Sequence, residues 1–185
     1  EIHAPLTYSE KKFIPFLSVS QTAKEVGITI TSASKAFNLA GLKCAMIITE
    51  NESLRDRINV MPLAVAFRAS LFGATAATAA FQHGLSWLDS VMKLLDENRK
   101  LLKNLIDTKL PGVGYRIPDF GYLGWIDLTP LNLGDDPCER LLERGRVALV
   151  KGSAYGPQHQ SFARFNFGTN PEIIAEGIDR IAKSI

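Results

Sequence analysis

One lysine and one arginine in this chain stand where residue type and neighbours could support chemistry. Lys35 lies in Ser32-Ala33-Ser34-Lys35-Ala36-Phe37-Asn38-Leu39-Ala40-Gly41, a stretch too rich in small and polar residues for a core strand and therefore read as a loop. Hydroxyls flank it and no acidic residue is close in sequence. Burial at a strand end would lower the pKa of such an amine by penalising its charged form. The neutral amine is the form that attacks a carbonyl to make a Schiff base. The hydroxyls of Ser32 and Ser34, with backbone N–H groups of the same loop, could hold a phosphate. On residue type alone, a solvated loop lysine is the commoner explanation.

Arg164 is the second candidate. In Phe162-Ala163-Arg164-Phe165-Asn166-Phe167 the period of two puts Arg164 and Asn166 on one face and Ala163, Phe165 and Phe167 on the other. A guanidinium within an aromatic strand is costly unless paired, and a carboxylate fits its fork in two-pronged fashion. That carboxylate could belong to a bound ligand or to an Asp or Glu of the protein, and residue type alone favours the latter. Tyr122 and Tyr155 could line a cleft, although packed aromatics are commoner. His83 and His159 lack partners at ligand spacing, so no metal site is expected. Ser153 lacks a Gly-x-Ser-x-Gly setting, so a hydrolase triad has no support.

These residues need elements to hold them. Residues 13–19 read as an irregular apolar segment and 22–26 as a short turn of helix. Ile28-Thr29-Ile30-Thr31 alternates like a strand, and residues 44–49 read as a buried strand, so Lys35 falls in a loop between strands. Asn51 or Ser53 caps a helix over 53–60. Residues 62–84 are helical with a break near Phe72-Gly73. Ser86 opens a long helix, with Asp89 completing a capping box, and Leu88, Met92, Leu95, Leu102, Leu105 and Ile106 form its apolar face until Pro111-Gly112. Beyond it, strands at 113–117, 122–128, 147–150 and 161–167 alternate with helices at 137–144 and after Asn170-Pro171. The last helix carries Ile174, Ile178, Ile181 and Ile185 on one face. Alternating strands and helices imply an α/β or α+β architecture. The expected organisation is residues 1–85 as part of a larger domain and 86–185 as the long helix plus a small domain.

The chain has 185 residues, 46% of them hydrophobic, and a formal charge of +2. That suffices for a real core and offers no basic stripe for nucleic acid. No apolar run reaches membrane-spanning length; residues 62–81 come nearest and Arg68 interrupts them. Cys44 and Cys138, far apart in sequence, read as ordinary thiols of a reducing cytoplasm. The chain begins at Glu1 without an initiator Met, and Ile2 reads as the end of a buried strand, so further sequence before Glu1 is expected.

Ser32-x-Ser34-Lys35-x-x-Asn38-Leu39-x-Gly41 resembles the lysine-attachment motif of the class I/II aminotransferase superfamily of pyridoxal-phosphate (PLP) enzymes. The resemblance extends over essentially the whole chain, through Glu1-Ile2-His3, Trp87-Leu88, Glu97-Asn98-Arg99, Gly121-Tyr122-Leu123-Gly124-Trp125 and Gly152-Ser153-Ala154-Tyr155-Gly156. It implies the C-terminal part of a PLP-dependent transferase fold: the end of the large domain followed by an α+β small domain. It also implies that Lys35 carries PLP, that His3 lies near the cofactor's 3′-oxygen, and that Arg164 grips the substrate's α-carboxylate. Where the family usually has an arginine on the cofactor phosphate, this chain has Lys43, which supplies charge without the fork. The branch it most resembles is the cystathionine β-lyase or cysteine-S-conjugate β-lyase group. The implied reaction releases a thiol, pyruvate and ammonia, with Lys35 moving the α-proton. The alternatives are an L-amino-acid aminotransferase, which uses the same lysine and arginine, and a non-catalytic PLP-binding regulatory module. The family further implies a homodimer with a shared site. Its pyridinium-pairing Asp, most of its phosphate loop and its stacking aromatic belong to an N-terminal half, so the 185 residues alone are expected to be inactive.

Overall fold

The computed structural model describes residues 1–185. Contacts divide the chain into two compact units, Glu1–Met92 and Lys93–Ile185. One helix, Leu85–Lys109, runs through the division. The mixed helix-and-sheet architecture implied by the alternating pattern is present in both units.

In the first unit, β1 (Thr29–Thr31) and β2 (Met46–Ile48) pair antiparallel, with Thr29 opposite Ile48 and Thr31 opposite Met46. The Lys35 loop is the connection between them. The expected burial of β2 is not met: Met46, Ile47 and Ile48 remain 40–44% exposed. A two-stranded ribbon with apolar side chains on both faces cannot bury them by itself. Helix α1 (Gln21–Val26) is capped by Ser20, whose Oγ accepts from Ala23 N at 3.0 Å. Asn51 caps α2 (Glu52–Asn59) in the same way through Leu54 N.

Three local expectations for this unit are corrected. Ile2 ends no strand; it lies in a turn before a single 3-10 turn over Ala4–Leu6, where Pro5 has no N–H for a ladder. The helical segment after residue 62 breaks at 67–70, between α3 (Leu63–Ala66) and α4 (Leu71–His83), rather than at Phe72-Gly73. The reason is Ser70, whose hydroxyl accepts from Gly73 N and caps α4. Third, α5 (Leu85–Lys109) begins one residue after Gly84, so Ser86 lies inside it and forms no capping box.

The second unit is built on a four-stranded antiparallel sheet in the order β3-β4-β6-β5. Its strands are β3 (Gly114–Tyr115), β4 (Leu123–Asp127), β5 (Val150–Lys151) and β6 (Phe162–Asn166). The strand expected over 147–150 is confined to its end, because Val147 N turns back to Leu141 O at 3.2 Å to close α6 (Pro137–Gly145). Leu102 and Ile106 of α5, Ile126 of β4, Ala163 of β6, and Ile174, Ile178 and Ile181 of α7 (Pro171–Ser184) are at most 1% exposed. These residues are the core of the unit, and burial of their apolar surface is the main favourable term holding it together. Ile185 lies beyond the end of α7 and is 53% exposed, so it does not join that face.

Candidate functional site

Each unit carries one of the two constellations anticipated from sequence. In the first, the residues after β1 fold into a compact turn. Phe37 N donates to Ala33 O at 3.0 Å and Leu39 N to Ser34 O at 3.1 Å. Ala33, Ala36 and Phe37 point inward and are 1–8% exposed. Phe37 stacks on Trp87 and meets Phe81 edge-on, with ring centroids at 6.2 and 5.6 Å. Gly84 must be a glycine beneath it, since a Cβ there would lie 2.8 Å from the Phe37 ring. With its neighbours turned into the core, Lys35 is left half-buried, and its ammonium makes no hydrogen bond or ion pair in its unit.

The serines beside it are tightly used. Ser32, 5% exposed, donates its hydroxyl proton to Cys44 O at 2.5 Å, the residue leading into β2. Its oxygen accepts from Ser34 N at 3.1 Å. Because the one proton of Ser32 goes to Cys44, Ser34 is the donor in the 2.7 Å contact between the two hydroxyls. Ser32 thus latches the two ends of the loop together, and Ser34 is held against the latch. The far side of the loop is fixed by α4: Ser70 N donates to Lys43 O at 3.1 Å. A Cβ on Gly73 would fall 2.2 Å from Leu42 O, so only glycine lets the helix approach this closely. Lys43 itself takes a left-handed backbone (φ 53°), and its side chain is exposed.

The structure brings His3 to Lys35. The imidazole is half-buried, and burial pushes its pKa below the ordinary value; the nearby Lys35 charge pushes it further in the same direction. The N-terminal segment is anchored for this by Leu6 and Tyr8, 1% and 2% exposed, and by a 2.6 Å bond from Glu1 N to Ile30 O of β1.

The second constellation centres on Arg164. Ala163, Phe165 and Phe167 are buried at 0–6%, and Arg164 lies on the opposite face of β6, half-buried, directly across from Trp125 of β4. No carboxylate of its unit pairs with it. Instead, Arg164 Nη1 donates to Tyr155 Oη at 2.5 Å, and its guanidinium carbon lies 5.7 Å from the Tyr155 ring centroid. Tyr122 is close on another side: burial raises its pKa, and the Arg164 charge partly offsets that rise. A cavity of about 400 Å³ opens here, lined by Leu123, Gly124, Trp125, Tyr155, His159 and Arg164.

Two residues at this site carry more than sequence reasoning gave them. Tyr155 is one; its signal was the pair of flanking glycines. A Cβ on Gly152 would lie 2.3 Å from His159 O and 2.6 Å from Phe162 O, and Gly156 has φ 145°, so glycine at both positions lets the 152–156 turn lie flat against β6. The other is Asn98, wholly buried, whose side-chain amide donates to Phe167 O at 2.9 Å and Thr169 O at 2.7 Å and so pins the end of β6 to α5. Of the remaining candidates, His159 packs edge-on against Trp125 and Phe162. His83 and Ser153 are exposed. No group of three His, Cys, Asp or Glu residues is placed to hold a metal ion. Cys44 and Cys138 are both free thiols, and no helix is long and apolar enough to cross a membrane.

Comparison with known proteins adds an independent line. A family model described as aminotransferase class I and II matches residues 1–181. A cystathionine beta-lyase of Corynebacterium glutamicum is 37% identical over 182 residues, covering 98% of this chain and 48% of that protein. The cystathionine beta-lyase PatB of Bacillus subtilis is 32% identical over 196 residues, covering 100% and 48%. Among solved structures, the PLP-bound C-S lyase from Staphylococcus hominis superposes with a TM-score of 0.88 at 26% identity, covering 100% of this chain and 48% of its own. The chain spans about half the length of the curated relatives it matches.

Proposed function

We propose, from the premise that this chain belongs to the aminotransferase class I and II family, that the intact protein is a PLP-dependent C–S β-lyase. Its substrates would be cystathionine or related cysteine S-conjugates, cleaved to a thiol, pyruvate and ammonia. The observation that carries the reading is the state of Lys35: a half-buried primary amine without a hydrogen-bond or ion-pair partner in its unit, on a turn locked by Ser32, Phe37 and α4. A solvated loop lysine needs no such scaffold.

The donor set suits an aldehyde that carries a phosphate. Lys35 is the attachment point, Ser34 and the exposed Lys43 are the phosphate-side candidates, and Ser32 keeps the turn closed. His3, held toward its neutral form by burial and by Lys35, would sit beside the ring as a hydrogen-bonding group rather than as a second cation. When bound, PLP supplies the carbonyl that condenses with an amine and the electron-withdrawing ring that takes up the electron pair left on the α-carbon. Arg164, free of any carboxylate in its own unit, would hold the substrate's α-carboxylate. Released from the cofactor, the Lys35 amine would take the α-proton as general base.

The preference for β-elimination over transamination rests on the two relatives named as cystathionine β-lyases. A homodimer is proposed from the family resemblance, and a cytoplasmic location from the two free cysteines.

The test uses the intact protein with and without Lys35→Ala, loaded with PLP. Borohydride reduction followed by peptide mass mapping should place the cofactor on Lys35 and nowhere in the variant. Added L-cystathionine should then yield pyruvate and ammonia in equal amounts. A keto acid without ammonia would replace the lyase by an aminotransferase. Cofactor on Lys35 with no turnover of any amino acid would indicate a binding module. Absence of cofactor from Lys35 would sink the whole reading.

A further inference from the structure

We propose that Tyr155 is a second ligand-contacting residue of the Arg164 site, accepting a hydrogen bond from the guanidinium and donating its own proton to the carboxylate that Arg164 holds. The inference rests on the reading of Arg164 as a carboxylate grip and deepens it.

The hydrogen-bond roles are fixed by chemistry. A guanidinium has donors only, so in the 2.5 Å contact between Arg164 Nη1 and Tyr155 Oη the phenol oxygen is the acceptor. Its proton is then directed elsewhere, and no group of its unit accepts it. Tyr155 is 49% exposed and lines the same cavity as Arg164, so a ligand there can reach the phenol. Arg164 has spent one of its N–H groups on the phenol and none on a carboxylate of its unit. The pair therefore presents an O–H and several N–H groups side by side with no acceptor between them. An anion with two oxygens is the ligand class that satisfies both, through charge-assisted bonds.

The phenol does not reach this place through a mobile side chain alone. Trp125 meets the Tyr155 ring edge-on, with centroids 5.4 Å apart and planes at 87°, and stacks on Phe162 at 5.6 Å and 15°. Trp125 and Arg164 are cross-strand partners, so the same register that positions the arginine positions the indole that braces the tyrosine. The bare backbone at Gly152 holds the turn against β6. Withdrawal of the guanidinium onto the phenol also preorganises it, which lowers the entropy lost when the ligand binds.

The decisive variant is Tyr155→Phe, which keeps the ring, its packing on Trp125 and its face toward Arg164, and removes only the hydroxyl. A hydrogen bond to a charged group is worth about 1.5–3 kcal/mol, so the intact holoenzyme should show a KM for cystathionine raised roughly 13- to 160-fold, with kcat within about 2-fold. The Kd for propionate, a simple carboxylate probe read by competition, should weaken by the same factor. Arg164→Lys is measured in parallel. If it raises KM and weakens propionate while Tyr155→Phe does neither, Tyr155 is only packing and this inference fails alone. If Arg164→Lys changes neither quantity, the carboxylate grip itself is wrong and the inference falls with it. A Tyr155→Phe change in kcat with KM and propionate binding untouched would also overturn it. Should the variant not fold, propionate affinity of the unsubstituted holoenzyme is compared with that for propionamide: equal affinities would refute anion recognition at this pair.

Discussion

Replacing Asn98 by alanine should loosen the end of the strand that carries Arg164. The Asn98 side chain is fully buried and donates two hydrogen bonds, to Phe167 O at 2.9 Å and to Thr169 O at 2.7 Å. Alanine removes both donors and leaves two carbonyls without these partners. A buried acceptor stripped of its donor costs about 1–3 kcal/mol. The Thr169 bond is only partly buried and belongs at the low end of that range, so the pair sums to roughly 2–4 kcal/mol. Asn98 Oδ1 has no hydrogen-bond partner and is buried, and its removal returns a small part of the loss. The readout is amide hydrogen exchange of the intact protein, followed by mass spectrometry over residues 162–169. At 1.36 kcal/mol per decade, protection there should fall by about 30- to 900-fold. Residues 29–48, in the first unit, report whether the effect is local. Unchanged protection over 162–169 would mean that α5 does not hold β6 through Asn98. An equal fall over both segments would mean that the substitution acts globally and not through these two bonds.

Gly152→Ala would put a methyl 2.3 Å from His159 O and 2.6 Å from Phe162 O, both backbone atoms that cannot swing away. Denaturant titration of the intact protein should register a loss of roughly 1–3 kcal/mol, and an unchanged midpoint would show that the turn tolerates the methyl. His3 should titrate below the ordinary imidazole value of 6.5 in the folded apo-protein. Its contribution to stability is therefore complete above that value and falls as pH drops toward the lowered folded pKa, because there the unfolded chain binds the extra proton. Lys35→Met should move the His3 titration, followed by NMR, upward, and no upward movement would show that the two side chains are uncoupled. Cys138 is 3% exposed and burial pushes its thiol pKa up, so a disulfide reagent at mild alkaline pH should modify the half-exposed Cys44 well before it. Equal rates by peptide mapping would contradict the burial of Cys138.

The sequence by itself determined the period-two face of β6, and with it the opposition of Arg164 to Ala163, Phe165 and Phe167, because strand periodicity is a backbone property that local residue order expresses directly. It also determined the helix cap at Asn170 and the loop character of Ser32–Gly41, and it narrowed the α2 cap to Asn51 or Ser53, since small polar residues and side-chain acceptors act within a few positions of themselves. The tertiary structure decided what local order cannot encode. The latch from Ser32 to Cys44 spans twelve residues and the bonds from Asn98 to Phe167 and Thr169 span about seventy. The approach of His3 to Lys35 and the bond from Arg164 to Tyr155 also join side chains from separate elements. The break at 67–70 was misplaced for the same reason: Gly73 looked like a helix breaker, yet it is needed inside α4 for close contact with Leu42, a partner thirty-one residues away. Residue type and spacing marked Lys35, Arg164 and Tyr155 only as candidates, beside the commoner explanations of a solvated lysine, an internal ion pair and a packed ring. Which hydroxyls are already spent within the fold, and which donors still face outward, depends on partners that only folding brings together.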